Sequence, residues 1–383
     1  MMGTGMDGQQ TIADIGYMRH AIKLARTAAG WTNPNPLVGA VIVKDDRVIG
    51  TGCHERFGQA HAERNALASC TENPEAATLY VTLEPCNHTG HQPPCTDAII
   101  EAGVARVVIG SRDPNPLVSG QGSARLRAAG IEVVEDFLRR ECDELNPIFF
   151  HFITTGRPFV VAKWAMSADG KIACHTGDAR WVTSQQARAD AHELRHRLAA
   201  VCVGIGTVLA DDPLLTCRRS VASQDPLRIV CDSQLRIPMD CQLVETAEET
   251  PLLIATTSSD GRKRSQLEAC GAEVIRLSDE EGHVDLVALL TELGSRGIDS
   301  LLVEGGGTLL ASMFETGLVD ETIVYLAPKI VGGAEARTPV EGMGIERMVD
   351  ARGLGTPNVE FIGSDLKITY RHGEEGDGTC SPE

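Results

Sequence analysis

His61, Glu63, Cys86 and Cys95 are the residues whose types and spacing could do chemistry together. One imidazole and two thiolates supply three ligands of the kind zinc prefers. Three protein ligands leave the fourth tetrahedral position open for water, which marks a catalytic rather than a structural centre. Zinc makes water acidic enough to ionise near neutral pH, and Glu63, not needed as a ligand, could move the proton. The plain alternative makes Cys86 and Cys95 buried thiols and His61 a helix cap. It gives Pro85 and the carboxylate of Glu63 no reason to be there. A second chemistry is suggested by Gly305-Gly306-Gly307-Thr308 after a β-rich run. Glycines let a phosphate approach the backbone, and a following helix start offers N–H donors. The run is neither G-x-G-x-x-G nor a Walker sequence, so neither a Rossmann nor an NTPase reading follows. A tight strand–helix turn would use the same residues.

The elements that must hold these groups alternate along the chain. A helix is expected over 14–30, then strands over 38–44 and 47–52 joined at Asp45-Asp46. A helix over 60–68 places His61 and Glu63 in its first turn, where the helix dipole favours negative charge. A strand over 78–83 ends at Glu84-Pro85-Cys86, and a polar loop leads to Cys95 and a helix over 96–102. A strand over 103–109, a helix over 123–130, a short strand over 131–134 and a helix over 135–145 follow. The order α-β-β-α-β-α-β describes a sheet with helices on both faces. Residues 146–158 break the pattern, and Phe149, Phe150, His151 and Phe152 read as packing between domains. Beyond them, strands over 159–165, 200–204, 227–231, 252–255, 272–276, 300–304, 321–326 and 360–370 alternate with helices over 184–197, 262–269, 284–296 and 309–317. That alternation indicates an α/β sheet with parallel strands. The near-repeat NPNPLVG (33–39) and DPNPLVSG (113–120) makes the same kind of turn twice. A pocket role for the second copy is the alternative.

Composition narrows the function. A length of 383 residues suggests two domains, and 42% hydrophobic with only 4% aromatic residues means cores built from Ala, Val, Leu and Ile. The net charge of −18 without a basic run argues against a nucleic-acid surface, and so against an enzyme acting on tRNA or DNA. No apolar run reaches membrane-spanning length, and the N-terminus lacks a secretion signal's apolar region. Twelve cysteines without disulfide-framework spacing point to reduced thiols in the cytoplasm. The expected layout is a disordered 1–11, domains over 12–150 and 151–372, and a disordered acidic tail over 373–383. A structural zinc module is a further alternative, against which stand Glu63 and the three-ligand count.

The order H-x-E, P-C and C is that of zinc deaminases. With eight residues between its cysteines, PCNHTGHQPPC departs from the commoner two. Together with TNPNPLVGAV, TGCHERFG and RDPNPLVSGQG, it resembles the deaminase half of the bifunctional riboflavin-biosynthesis deaminase/reductases, over about residues 12–145. The resemblance implies a cytidine-deaminase-like α/β/α domain with zinc on His61, Cys86 and Cys95, and Glu63 as proton shuttle. It places Asn35 and His54 in the pocket. The implied reaction is hydrolytic deamination of 2,5-diamino-6-ribosylamino-4(3H)-pyrimidinone 5′-phosphate. His91-Gln92 stands where the family usually has Lys or Arg followed by Thr. A histidine, mostly neutral at pH 7, would replace that contact only in part.

The ordered set KWAMSADGK, GDARWVTS, GIGTVLADDPLLTCR, CDS, LVEGGGTLL and YLAPKIVGG resembles the reductase half of the same family, over about residues 158–370. It implies a dihydrofolate-reductase-like α/β domain that uses NADPH. Position by position, Ala165, Trp181, Thr207, Asp211, Ser233, Gly306, Gly307, Thr308, Leu309, Leu310, Ala311 and Ser312 would contact NADPH. Ala179, Arg195, Leu215, Arg218 and Glu304 would contact substrate. The guanidinium forks of Arg195 and Arg218 suit a phosphate. Ala179 is often serine in the family, which leaves only a backbone contact here. Lys163 and Asp169 are the candidate proton donors. The implied second reaction reduces the ribose of 5-amino-6-(5-phosphoribosylamino)uracil to ribityl. Phosphorylated pyrimidines are the expected partners of a homo-oligomer with no nucleic-acid or membrane partner. The alternative is a deaminase whose second domain only binds nucleotide.

Overall fold

The computed structural model describes residues 4–88, 93–115 and 119–372, with side chains of the first helix described from residue 12. The chain divides into two compact units, Met1–Gly156 and Arg157–Glu383.

In the first unit the order is α1 (Thr4–Arg26), β1 (Gly39–Lys44), β2 (Arg47–Cys53), α2 (Ala62–Ala68), β3 (Thr78–Leu83), α3 (Cys95–Glu101), β4 (Arg106–Ser111), α4 (Gln121–Ala128), β5 (Glu132–Val134), α5 (Arg139–Asp143) and α6 (Pro147–Thr155). The sheet runs β2-β1-β3-β4-β5. β1 is antiparallel to both neighbours, and β3, β4 and β5 are parallel. Strand alternation sorts two cores. Val41, Val43 and Tyr80 pack with Met18, Ala21 and Ala25 of α1. Ala40, Ile42, Leu79 and Val81 face the other way, onto Ala62 and Ala66 of α2 and Ile99 of α3. Asp45 and Asp46 both take left-handed φ, 49° and 57°, as a type I′ hairpin turn requires.

The height of α2 over the sheet is set by two glycines on β2. A Cβ on Gly50 would lie 2.4 Å from the Ala66 carbonyl oxygen, and one on Gly52 would lie 2.4 Å from the Ala66 nitrogen. No side chain fits at either place, so the helix that begins just after His61 rests directly on the strand.

Several expectations need correction. α1 begins at Thr4, inside the tract expected to be disordered. Gly5 and Gly8 each cost a helix about 1 kcal/mol relative to alanine. The turns around Met18, Ala21 and Ala25, packed on the sheet, can carry that cost. The helix expected over 135–145 shrinks to the five residues of α5, with Leu138 left-handed at its start. α6 occupies the expected break. Pro147 sits in its first turn, where a missing N–H is no loss, and Gly156 closes it with φ 69°. The prolines and glycine that read as breakers mark the two ends of this helix. The tail over 373–383, with Cys380, lies outside the described residues, as do His91 and Gln92.

In the second unit the order is β6 (Phe159–Ser167), α7 (Gln185–Arg197), β7 (Ala200–Gly204), α8 (Ile205–Asp211), β8 (Leu227–Cys231), α9 (Gln242–Glu245), β9 (Leu252–Thr256), α10 (Gly261–Ala269), β10 (Glu273–Arg276), α11 (Leu286–Ser295), β11 (Ser300–Val303), α12 (Gly307–Glu315), β12 (Glu321–Ala327), β13 (Asn358–Ile362) and β14 (Asp365–Arg371). The sheet order is β10-β9-β8-β7-β11-β6-β12-β14-β13. Strands β10 to β12 are parallel, and β14 and β13 are added antiparallel. The single strand expected over 360–370 is therefore a hairpin, folded back between Ile362 and Asp365 at Gly363, whose φ is 64°. Leu289, Leu290 and Leu293 of α11 and Leu310 and Met313 of α12 pack on Ala162, Cys202, Ile229 and Leu301. The carboxyl ends of β7, β8 and β11 open side by side, which is where ligands bind in parallel sheets.

Candidate active sites

In the first unit, His61 is the backbone N-cap of α2, yet its ring makes no capping bond. Its Nδ1 instead lies 3.5 Å from Cys86 Sγ and 3.3 Å from Cys95 Sγ. The Cys95 amide donates to Cys86 Sγ at 3.4 Å. All three ligand atoms lie within 4.8 Å of one another. A tetrahedral zinc ion with bonds of about 2.0 Å to nitrogen and about 2.3 Å to sulfur spaces its ligand atoms roughly 3.5 Å apart. The donor set and spacing therefore fit the metal. Donation from Cys95 holds the Cys86 thiol well below its ordinary range, and the His61 ring assists.

Each cysteine is delivered by a fixed segment. The buried Glu84 carboxylate accepts the amides of Gly120 at 3.0 Å, Gly122 at 3.0 Å and Ser123 at 3.3 Å. This ties the end of β3, and so Cys86, to the start of α4. Arg64 donates to the carbonyls of Pro93 at 3.2 Å and Pro94 at 3.1 Å, directly before Cys95.

Glu63 is 3% exposed. Burial, with the Cys86 charge adding to it, pushes its carboxyl up to about 7. A group that exchanges its proton near neutral pH suits a shuttle. Glu63 and His61 line a cavity of about 240 Å³ that also takes in Asn35 and His54. His54 Nδ1 lies 3.1 Å from the Ala60 carbonyl, and its Nε2 lies 3.1 Å from the Asn35 amide nitrogen. One ring nitrogen donates and the other accepts, which requires the neutral ring. Burial lowers its pKa in the same sense.

The cavity also holds residues of the second near-repeat, for which a pocket role is one of two readings, and others outside the expected set. His88, Asp113, Asn115 and Phe149 line it. Burial pushes the Asp113 carboxyl up. Asn35 and Asn115 hold the same place in the two near-repeats, so the repeat carried a signal. Phe149, expected to pack between domains, reaches this cavity from α6.

In the second unit a cavity of about 890 Å³ spans the carboxyl ends of β7, β8 and β11. Thr207, Asp211, Ser233, Gly306, Gly307, Thr308, Leu309 and Ser312, eight of the twelve residues proposed for cofactor contact, line it. Gly305 and Gly306 have φ of 122° and 81°, and Gly306 starts α12 with no side-chain cap on its N–H groups. That leaves the first amides of α12 without a side-chain capping bond, although the Glu341 carboxylate packs against Gly307. Ala165, Trp181, Leu310 and Ala311 do not line this cavity. Leu310 and Ala311 are buried, and helix periodicity turns Leu310 and Met313 towards the core while Thr308 and Ser312 face the cavity. Trp181 lies beneath the Arg188 guanidinium, 4.2 Å from it. Ala179, expected to contact substrate, also lines this cavity.

The remaining expected substrate residues form an ionic cluster. Arg195 donates to Glu304 through two bonds, of 2.8 and 2.7 Å, and to the Thr216 carbonyl at 2.9 Å. Lys163 Nζ lies 4.0 Å from the same carboxylate. Burial pushes Glu304 up, but Arg195 and Lys163 outweigh it and hold the carboxyl down to about 2. Burial lowers the Lys163 pKa. With Arg218, three cations face one anion, a surplus suited to a phosphate. Arg195, expected as a free phosphate fork, has committed its guanidinium to Glu304 and Thr216. Arg218 is the less engaged arginine: its Nη1 meets only Thr216 Oγ1 at 3.3 Å, and its backbone N–H meets His192 Nδ1 at 3.2 Å. His192, which the sequence reading passed over, is held down to about 4 by burial and by these two arginines. Leu215 is buried, with a left-handed φ of 55°, so it can offer only backbone. Asp169 is poorly placed to donate a proton. Ser167 and the amides of Val331 and Gly332 bond its carboxylate and hold it down to about 2.

Comparisons with known proteins match each unit to a family. Residues 12–111 match the cytidine and deoxycytidylate deaminase zinc-binding region, and residues 158–366 match the RibD C-terminal domain. The chain is 52% identical to the riboflavin biosynthesis protein RibD of Actinobacillus pleuropneumoniae, over 94% of this chain and 96% of that protein. It is 41% identical to the Escherichia coli protein of the same name, over 91% of this chain and 97% of the other. Among solved structures it resembles the Acinetobacter baumannii RibD, with a TM-score of 0.85 at 35% identity over 94% and 99% of the two chains. It also resembles a diaminohydroxyphosphoribosylaminopyrimidine deaminase/5-amino-6-(5-phosphoribosylamino)uracil reductase from Thermotoga maritima, with a TM-score of 0.84 at 38% identity over 94% and 99% of the two chains.

Proposed function

Because the chain belongs to the RibD family of bifunctional riboflavin-biosynthesis enzymes, we propose that each unit carries one of two successive reactions on a phosphorylated pyrimidine. The first, cytidine-deaminase-like unit hydrolyses the amine of 2,5-diamino-6-ribosylamino-4(3H)-pyrimidinone 5′-phosphate. The second, dihydrofolate-reductase-like unit reduces the ribose of the product, 5-amino-6-(5-phosphoribosylamino)uracil, to ribityl. The observation that carries the reading is the convergence of His61, Cys86 and Cys95 beside the buried Glu63.

In the deaminase, His61, Cys86 and Cys95 would hold zinc. When bound, zinc supplies a water that ionises near neutral pH. The Glu63 carboxylate takes a proton from that water and hands it to the departing nitrogen, so the amine leaves as ammonia and a carbonyl remains. Asn35 and the neutral His54 orient the ring, assisted by Asp113 and Asn115. In the reductase, the Gly306–Thr308 cradle would hold the phosphates of NADPH, which supplies a hydride when bound. Arg218 meets the substrate phosphate. Lys163 holds the proton delivered as the ribose opens, while Glu304 and Arg195 fix its position.

Removal of the metal tests the division. After chelation, ammonia release should fall below detection and return with added Zn2+. NADPH oxidation on the already deaminated pyrimidine should continue throughout. Loss of both activities would refute two separate centres, and absence of any NADPH oxidation would favour a second unit that only binds nucleotide.

The free cysteines support a cytoplasmic protein, and among the described residues no helix is long and apolar enough to cross a membrane. A homo-oligomer is supported by β13. This strand ends the larger sheet and leaves Val359 51% and Phe361 81% exposed. An apolar edge strand with unpaired backbone groups invites a second copy. Sedimentation should give a mass above one chain, and Phe361→Asp should reduce it.

A further inference from the structure

One end of the larger cavity has no role in the reading above. The glycine cradle at Gly306 receives phosphates, and the reacting end must approach Glu304 and Lys163, since Glu304 adjoins the cradle on one side. The cavity also continues the other way, across the end of β8 to the segment that follows β10. There Val284, Leu286 and Val287 supply apolar wall, with Val287 46% exposed.

The turn after β8 is rigid. The fully buried Asp232 carboxylate accepts the Ile237 amide at 2.8 Å, and its carbonyl accepts the Leu235 amide at 3.0 Å. The hydroxyls of Thr256 and Thr257 donate to the Ser233 carbonyl at 3.1 and 2.9 Å. Leu235 and Ile237 are buried on either side of Arg236, which is exposed and lines the cavity. Among the described residues the Arg236 guanidinium has no carboxylate or carbonyl partner. Two of the three acidic groups at this end cap local turns: Asp279 accepts the amides of Glu281 at 3.0 Å and His283 at 2.7 Å, and Asp285 accepts that of Ala288 at 2.9 Å, while the exposed Glu281 carboxylate lies 3.7 Å from His283. The turn therefore presents a positioned, uncommitted fork beside Ser233 and Gln234.

We propose that Arg236 reads the 2′-phosphate on the adenosine half of the dinucleotide, with Val284, Leu286 and Val287 receiving the adenine. The assignment rests on the reading of this cavity as the nucleotide site, and makes Arg236 the residue that selects NADPH over NADH. A guanidinium matches a phosphate bidentately. The 2′-hydroxyl of NADH offers no such charge.

The test is kcat/KM for both nucleotides on the deaminated pyrimidine, in the full-length zinc-loaded protein and in Arg236→Ala. The ratio of the NADPH value to the NADH value should fall roughly 10- to 100-fold, the range for losing bonds to a charged group. In a calorimetric titration without substrate, adenosine 2′-monophosphate should bind the parent protein and lose that affinity in the variant. An unchanged ratio, or an equal loss with both nucleotides, overturns the role of Arg236. If the parent protein oxidises neither nucleotide, the reductase reading itself fails and takes the assignment with it.

Discussion

Replacing Glu63 with glutamine is expected to slow ammonia release about a thousandfold, within the range general acid–base catalysis contributes. Zinc content and hydride transfer to the deaminated pyrimidine should stay at parent levels. Glutamine keeps the shape of the side chain and removes its ability to take and give a proton. The ligand atoms are on His61, Cys86 and Cys95, whose positions depend on α2, Glu84 and Arg64. The environment of Glu63 supports the role: at 3% exposure, burial has moved its carboxyl up to about 7, where proton exchange is fast in both directions. Metal analysis beside an ammonia assay decides the matter. Zinc lost in parallel with activity would make Glu63 a structural support, and retained ammonia release would assign the proton transfer elsewhere.

The second large effect is expected at Glu304. Glu304→Gln leaves Arg195 and Lys163 buried together without their counter-charge, and breaking a buried pair from one side costs about 3–5 kcal/mol. The pH dependence has a definite sign. The folded pKa of Glu304 is depressed from 4.5 to about 2. A depressed carboxylate contributes stability that is present above the unfolded value and lost as pH falls through the folded one. The shift corresponds to about 3 kcal/mol, of which roughly 2 kcal/mol is gone by pH 3. Urea midpoints should show the parent well above the variant at pH 5 and the gap narrowed at pH 3. An equal gap at both pH values would mean that the carboxylate is not stabilised by its cations.

Much of the deaminase centre could be read from the chain because its ligands are chemically unusual and lie beside strong element boundaries. His61 opens α2, Cys86 follows β3 and Cys95 opens α3. Asp113 and Asn115 are legible only through the near-repeat, and Phe149 not at all. They come from a loop and a helix whose approach to the cavity depends on how the sheet is covered, and residue type does not announce that. α6 was lost because a proline at a helix start and a glycine at its end look, in a linear reading, like a break. The reductase cluster shows a different blind spot. Arg195 reads as an anion fork, but its partner Glu304 is 109 positions away. Only the parallel sheet brings β11 alongside β6 and β7 and closes the pair. Leu310 and Ala311 fell inside a contiguous run of expected contacts, and a helix cannot present every member of a run to one ligand.

Gly50 and Gly52 have a bearing on how this protein can vary. At both positions the backbone of α2 occupies the space of a side chain, so the permissible alphabet contracts to a single letter. Substitutions there would have to move the helix, and His61 with it. Substitution that tunes the centre must therefore fall outside this strand, as the eight residues separating Cys86 from Cys95 do.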